Sequence, residues 1–322
     1  MPIHLEKIRR RCALGALSAL PWLAYAQQKK LQLVFIPKSS DQVFWDLMRQ
    51  GVDRAVREDG AVQLTWRGPA HNDDTDAQIR ILQVYTRPDV DAILITPTDR
   101  ARLAEPVRAA SALGIQVVVV DSALDGNAHV NLVATDNLRG GRLAAKRMAE
   151  LLGRQGRVLV LRTVAGSAST DERAEGFKAY LKENAPKISV VADEHGGGST
   201  GRALHSALAL LKKYPAVDGV FAVNESATEG MLRALRESGQ AGRIRFIGFD
   251  ATELLLRGLE DQEIHGLVIQ NPQQMGYLAV KAALAAARKT PLPDRTLYTD
   301  TTLVTSENMH APHIRRLMCV QC

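Results

Sequence analysis

Short apolar segments alternate with longer helical segments along this chain, and this pattern limits its possible folds more than any other property. The apolar segments are only a few residues long and nearly continuous in aliphatic side chains, as in Val117–Val120. Such segments are typical of strands that are buried on both faces of a parallel sheet covered by helices. Because regular alternation with helices indicates βαβ units, the sequence predicts a doubly wound α/β fold.

The alternation runs through two similar halves of the chain. The predicted strands are Leu31–Ile36, Val62–Arg67, Ala92–Thr96, Gln116–Asp121, Val158–Arg162, Ser189–Asp193, Gly219–Asn224, Arg245–Gly248 and Gly266–Gln270. The predicted helices are Trp45–Glu58, Asp76–Thr86, Ala101–Leu113, Gly140–Leu152, Glu172–Asn184, Thr200–Lys213, Ala227–Glu237 and Pro272–Arg288. Two similar halves predict two lobes with a parallel sheet each. We expect the segment Asp121–Asp136 to make the first crossing between them.

Residues 1–26 have the pattern of a cleaved signal peptide. Basic residues from Lys7 to Arg11 precede an apolar run that ends near Leu23, and Ala-Tyr-Ala at 24–26 supplies a small-x-small cleavage pattern. The alternative is a membrane anchor, but the apolar run is shorter than the roughly 20 residues that span a bilayer. We therefore expect export to the periplasm. The consecutive arginines leave both the general secretory and the twin-arginine routes open.

Two cysteines remain after the expected cleavage. Cys319 and Cys322 could form a local disulfide in an oxidising compartment or stay free thiols. His310 and His313 lie close by in the sequence and raise the alternative of a zinc site. A chain terminus rarely holds a preorganised site, so we expect neither a metal nor a cofactor.

Polar side chains follow four of the predicted strands. These residues are Asp121, Asn224, Asp250 and Gln270. Each alone could merely cap a turn. Together they would meet at the carboxyl edges of the sheets, where ligands bind in open α/β folds. Carboxylate and amide groups match the paired hydroxyls of a sugar. In addition, Phe44 and Trp45 begin a helix after the first strand; we expect one to be core and Trp45 to stack on a sugar ring.

These residues and their neighbours resemble the type I periplasmic binding proteins, in particular the ribose- and allose-binding branch. The likeness runs from Leu31 to about Asn308 and rests on an ordered set of short segments. They are Lys38 with Phe44-Trp45, Ile95-Thr96-Pro97-Thr98-Asp99, Val120-Asp121-Ser122, Thr135-Asp136-Asn137, Ala165-Gly166-Ser167, Glu175-Gly176-Phe177, Asn224-Glu225, Gly248-Phe249-Asp250 and Gln270-Asn271-Pro272.

The resemblance implies two Rossmann-like lobes joined by three hinge crossings. The crossings would lie near Ala134–Thr135, Gln270–Asn271 and Asp300–Thr301. After the signal peptide 1–26, the N-terminal lobe would comprise 27–134 plus 271–300, and the C-terminal lobe 135–270 plus 301–322.

The resemblance also implies a set of ligand contacts. They would fall on Lys38, Gln42, Phe44, Trp45, Asp121, Ser122, Asp171, Asn224, Asp250 and Gln270, with Arg173 as a secondary candidate. Ribose binders carry Asn-Pro where this chain has Gln42-Val43, arginines where it has Ser122 and Asp171, and an aromatic residue where it has Gly196–Gly198. Compared with ribose binders, the predicted site loses two positive charges and gains one negative charge, which disfavours an acidic or phosphorylated ligand. We expect another sugar, a polyol or a related hydroxylated metabolite instead of ribose.

Other functional classes find little support in the sequence. The formal charge of +6 falls by half without residues 1–26, so no nucleic-acid partner is expected. No helix-turn-helix precedes the first lobe, as a lactose-repressor-type regulator would require. Paired carboxylates could suggest a glycosidase, but hydrolase, metalloprotease and phosphate-loop motifs are missing. We expect a monomeric, non-enzymatic periplasmic component of an ABC transporter that binds by hinge closure and docks on the permease. The alternative is a sensor that docks on a chemoreceptor or histidine kinase.

Overall fold

The computed structural model describes residues 30–292 and 294–318. The expected signal peptide 1–26 and the pair Cys319 and Cys322 lie outside the described residues. No helix in the described part of the chain combines the length and the apolar character needed to cross a membrane.

Strands and helices alternate along nearly the whole described chain. The strands are β1 (Leu31–Ile36), β2 (Val62–Trp66), β3 (Ala92–Ile95), β4 (Gln116–Val120), β5 (Asn131–Thr135), β6 (Gln155–Arg162), β7 (Lys187–His195), β8 (Gly219–Ala222), β9 (Arg245–Phe249), β10 (Gly266–Ile269), β11 (Thr296–Thr299) and β12 (Thr302–Val304). The helices are α1 (Val43–Asp59), α2 (Thr75–Tyr85), α3 (Ala104–Ala112), α4 (Asn137–Leu151), α5 (Ala168–Asn184), α6 (Thr200–Lys213), α7 (Glu225–Glu237), α8 (Glu253–Glu260), α9 (Pro272–Ala287) and α10 (Pro312–Met318).

The strands form two six-stranded sheets, one in each lobe. The first has the order β11-β5-β4-β3-β1-β2 and the second β12-β10-β9-β8-β6-β7. All neighbours are parallel except β10 and β12. The two-lobe α/β fold predicted from the sequence is therefore confirmed. The segment expected to be the first crossing instead contains β5, which pairs with β4 in the first sheet, so the crossing follows β5.

Each sheet is covered on both faces, which explains why its strands are apolar without alternation. In β1, Leu33 and Phe35 join a buried cluster with α1 and α9. The intervening Val34 and Ile36 join a second cluster with α2 and α3 on the opposite face. Successive side chains of a strand point to opposite faces, so both sets must be apolar.

The chain passes between the lobes through three short links. Asp136 joins β5 to α4, Gln270 and Asn271 join β10 to α9, and Asp300 and Thr301 join β11 to β12. The Thr135 hydroxyl donates to Gln270 Oε1 at 2.9 Å, and the Thr301 hydroxyl donates to the Ile269 carbonyl at 2.9 Å. These bonds tie the links to one another, so they form one narrow connection.

Two of the links lead directly into helices that are packed at unusually close range. A Cβ atom added to Gly51 of α1 would lie 1.8 Å from the Gln273 carbonyl oxygen of α9. One added to Gly141 of α4 would lie 1.9 Å from the Arg173 carbonyl oxygen of α5. Only glycine allows this approach of two backbones. The helices that follow the first two links are thereby fixed to their own lobes.

Candidate ligand-binding site

A cavity lies between the carboxyl ends of the two sheets. Nine of the eleven residues expected to bind ligand line it: Lys38, Gln42, Phe44, Trp45, Asp121, Arg173, Asn224, Asp250 and Gln270. Six further lining residues were not expected: Asn72, Thr163, Val164, Ser167, Ser169 and Thr170. The convergence of strand ends explains why residues so distant in sequence meet here.

The other two expected residues, Ser122 and Asp171, do not line this cavity. Ser122 is buried, and its hydroxyl oxygen accepts the Ser169 backbone N–H at 3.0 Å. The Asp171 carboxylate accepts a hydrogen bond from the Arg162 guanidinium at 2.9 Å. Arg162 also pairs with Asp193 and Glu175, so Asp171 belongs to a charged network of the second lobe. Ligand contact by any of the eleven residues stays a prediction.

Asp121 and Asp250 occupy corresponding positions in the two sheets. Each follows a strand and has a left-handed backbone, with φ of 64° and 66°. The Asp121 N–H donates to the Val133 carbonyl at 2.8 Å, and the Asp250 N–H donates to the Val268 carbonyl at 2.9 Å. Aspartate adopts this conformation more readily than most residues. The same turn therefore places a carboxylate at the cavity from each lobe.

The Asp250 carboxylate is buried and held at both oxygens. Oδ1 accepts from Gln270 Nε2 at 2.7 Å, and Oδ2 accepts the Glu225 backbone N–H at 3.0 Å. Burial raises the pKa of Asp250, and the nearby positive charge of Arg173 opposes this rise. The carboxylate is thus fixed in orientation and retains lone pairs for a ligand.

Arg173 connects four parts of the second lobe beneath the cavity. Its guanidinium donates to Asn137 Oδ1, the Val223 carbonyl and Gln270 Oε1 at 2.9, 2.9 and 2.8 Å, respectively. It also lies over the Phe249 ring, 3.9 Å from the centroid. Burial lowers its pKa, while Asp250 and Asp121 raise it. With its donors engaged in this way, Arg173 serves mainly to position the cavity wall.

Lys38 reaches from the first lobe to the second. Its ammonium lies 3.2 Å from Asp121 Oδ2 and donates to the hydroxyls of Ser167 and Ser169 at 3.1 and 2.9 Å. Burial lowers the pKa of Lys38, and Asp121 opposes this effect. Lys38 therefore links the lobes while neutralising one of the buried carboxylates.

The two adjacent aromatic residues both line the cavity and both belong to the core of the first lobe. The rings of Phe44 and Trp45 meet edge to face, with centroids 4.8 Å apart. The Trp45 indole N–H donates to the Ser39 hydroxyl at 2.9 Å, which fixes the ring. A rigid aromatic wall of this kind suits the apolar face of a sugar.

Glu225 is a functional residue that the sequence reasoning missed. Its carboxylate oxygens accept the backbone N–H groups of Val43 and Phe44, each at 3.0 Å. These donors begin α1 in the first lobe, whereas Glu225 begins α7 in the second. An acidic residue at a helix start is usually interpreted through its own helix dipole. The sequence signal that could have indicated Glu225 was its position directly after Asn224, which follows a predicted strand. In the fold, Glu225 holds the lobes together.

The Glu225 contact predicts a pH dependence of closure. Burial, followed by the Asp250 carboxylate, raises the pKa of Glu225 to about 8, and the two backbone N–H groups oppose the rise. In water a glutamate has a pKa of about 4.3. The closed protein therefore binds more protons between these values, so closure is favoured at low pH and weakens as pH rises toward 8.

We expect ligand affinity, measured by calorimetry, to fall at least tenfold between pH 6 and pH 8.5. Glu225→Gln keeps the side-chain size and should flatten most of this dependence. Any remaining slope would report Asp250, whose pKa is also raised, or Lys38, whose lowered pKa acts in the opposite sense. An unchanged pH profile in the variant would remove Glu225 from this role.

The sequence raised a zinc site near the C-terminus as an alternative. In residues 30–292 and 294–318, no three His, Cys, Asp or Glu side chains are grouped so that they could hold a metal ion. His310 and His313 belong to this part of the chain. Cys319 and Cys322, which the sequence suggested could form a disulfide, lie outside the described residues.

Comparison with known proteins identifies relatives over most of the chain. Residues 33–291 match a family model described as periplasmic binding protein domain. The ribose import binding protein of Bacillus subtilis is 31% identical over 240 residues, which cover 74% of this chain and 76% of that protein.

Solved structures show the same likeness. The periplasmic component of an ABC-type sugar transport system from Hahella chejuensis is 38% identical with a TM-score of 0.81, covering 85% of this chain and 99% of that one. A carbohydrate transporter solute-binding protein from Agrobacterium radiobacter, solved with D-arabinose, is 30% identical with a TM-score of 0.86 and covers 90% and 99%.

Proposed function

This chain belongs to the family of periplasmic binding proteins, and on that basis we propose that it is the sugar-binding component of an ABC importer. The observation that carries the proposal is the cavity between the lobes. Buried donors and acceptors from both lobes surround it together with two aromatic rings. Pockets with apolar walls and a few convergent polar groups are typical small-molecule sites.

The charges around the cavity favour a neutral ligand. Asp121 and Asp250 are matched by Lys38 and Arg173, and all four side chains are buried. An anionic or cationic ligand would disturb this balance in a low-dielectric site. Carboxylates and amides instead suit the hydroxyls of a sugar or polyol. Ser122 and Asp171, which stand where ribose binders carry arginine, lie off the cavity and add no cation to its wall. We propose a sugar or polyol other than ribose as the ligand.

Hinge closure would couple binding to transport. Contacts between the lobes involve Lys38, Glu225 and the Ser122–Ser169 bond, all of them beside the cavity. A ligand that contacts both lobes favours the closed form over the open one. The closed form would then dock on an ABC permease. We propose the lobe boundaries 27–134 plus 271–300 and 135–270 plus 301–322.

The matching family model is a periplasmic binding protein domain, and the similar protein from Hahella chejuensis is a periplasmic component of a sugar transport system; both support the finer features of the proposal. We propose that the protein carries no catalytic activity and acts as a monomer without a nucleic-acid partner. Export would use the segment 1–26 as a cleaved signal peptide. N-terminal sequencing of the periplasmic protein should begin at Gln27.

A thermal-shift screen with sugars and polyols tests the function. A ligand at about 100 times its Kd stabilises the folded state by about 2.7 kcal/mol. For a folded chain of roughly 300 residues, that corresponds to a rise in Tm of about 4 °C. We expect one or a few neutral sugars to produce this rise and sugar phosphates to produce none. A flat response to every sugar and polyol would contradict the proposal.

A further inference from the structure

A second cavity adjoins the first beyond the end of β6. It is open to solvent and has a volume of about 750 Å³. Thr163 and Val164 line both cavities, and Asn72 lines the first while the next residue, Asp73, lines the second. The two spaces therefore meet where the loop around Asn72 faces the loop that follows β6.

Within the part of the chain that the structure describes, three buried polar atoms in the wall of the first cavity have no hydrogen-bond partner. They are Gln42 Nε2, Asn72 Oδ1 and Thr163 Oγ1, in side chains exposed by 8%, 5% and 2%. Leaving a buried polar atom unpaired is unfavourable, so such atoms in a binding site indicate contacts that a ligand completes. A glutamine amide nitrogen only donates, and an asparagine oxygen only accepts. A ligand hydroxyl can satisfy both. Thr163 borders both cavities, so its unpaired hydroxyl lies where the two spaces meet.

The second cavity has room for another ring and has balanced charges. A Cβ atom added to Gly201, in the first turn of α6, would meet no atom within 4 Å. Asp73 forms an ion pair with Arg202 and also accepts the Gly198 N–H at 3.3 Å. Both contacts join the lobes, so the second cavity exists when the lobes are together. His195, His205 and Ser206 add further hydrogen-bonding side chains.

We propose that the ligand carries a second, uncharged hydroxylated unit, as a disaccharide or glycoside does. Its first ring occupies the inner cavity, and the second unit passes Thr163 into the outer one. This inference rests on the proposed function, because it extends the same site. It predicts that the inner cavity alone recognises a monosaccharide more weakly than the whole site recognises the extended sugar.

Gly201 offers a direct test. Gly201 lines the outer cavity and has room for a Cβ atom, so Gly201→Leu adds bulk at its wall, whereas Gly201→Ala makes the same backbone change and adds only the Cβ. Calorimetry would compare common monosaccharides, their methyl glycosides and disaccharides containing them. We expect a disaccharide or glycoside to bind wild type at least tenfold more tightly than its parent monosaccharide. Gly201→Leu should weaken this binding at least tenfold with monosaccharide affinity unchanged, and Gly201→Ala should leave both affinities unchanged.

Two results would overturn the inference and leave the proposed function intact. One is binding of monosaccharides without any gain from a second unit. The other is full disaccharide affinity in Gly201→Leu that has an unaltered Tm. Failure of every monosaccharide and disaccharide to bind would overturn the proposed function itself.

Discussion

Asp250→Ala is expected to weaken ligand binding about 10- to 150-fold, or about 1.5–3 kcal/mol, because it removes a charged hydrogen-bond acceptor. Gln270 and the Glu225 N–H hold the two carboxylate oxygens in place, so little reorganisation is needed on binding. A preoriented acceptor in a buried site contributes more than a mobile one. Calorimetry with the sugar identified by thermal shift measures the effect.

The matched control is Asp250→Asn. Asp250 has a φ of 66°, a conformation that alanine tolerates less well than asparagine. Asparagine keeps the shape and the backbone preference but removes the charge, so its affinity should lie between those of wild type and Asp250→Ala. Wild-type affinity in a folded Asp250→Ala protein would exclude Asp250 from the site.

Arg173→Met is expected to lower the free energy of unfolding by about 3–5 kcal/mol. The substitution removes three hydrogen bonds and leaves the carboxylate of Asp250 without its buried countercharge. Asn137 Oδ1 and the Val223 carbonyl would lose a buried donor, which adds to the loss. Urea denaturation followed by circular dichroism measures the change.

A surface arginine on the same helix pair provides the comparison. Arg142 of α4 pairs with Glu183 of α5 at 2.7 Å, and both side chains are largely exposed. Exposed ion pairs contribute little to stability. Arg142→Met should therefore leave the unfolding midpoint unchanged. Equal effects of Arg142→Met and Arg173→Met would refute a special role for the buried guanidinium.

The regular elements could be predicted because both lobes bury whole strands. Segments such as Val117–Val120 are apolar on both faces, and this pattern indicates a strand of a parallel sheet that is covered on both sides. The missed strands β11 and β12 lie at sheet edges, where burial does not impose an apolar sequence. The missed strand β5 lies inside its sheet, but its apolar stretch is only Leu132–Ala134, between Asn131 and Thr135. Helices α8 and α10 are only 8 and 7 residues long, too short for a clear periodic pattern.

The site was predictable where it depends on topology alone. Asp121, Asn224, Asp250 and Gln270 follow parallel strands and so must lie at the same edge of their sheets. Contacts between the lobes depend on the relative orientation of the lobes, which a local sequence pattern does not predict. Glu225 was missed for this reason, as were Asn72 and Thr163. Asp171 lies off the cavity because Arg162 offers it a partner within its own lobe.

The glycine-packed helix pairs restrict how this molecule can open. Since α4 and α9 begin directly after two of the links, rotation must be absorbed by the one or two residues of each link. Three links of this length resist sliding of one lobe past the other. The movement left to the lobes is therefore close to rotation about a single axis. Because the open, ligand-free protein can move in so few ways, it would lose little conformational entropy on closing. Most of the interaction energy between protein and ligand would then contribute to binding affinity.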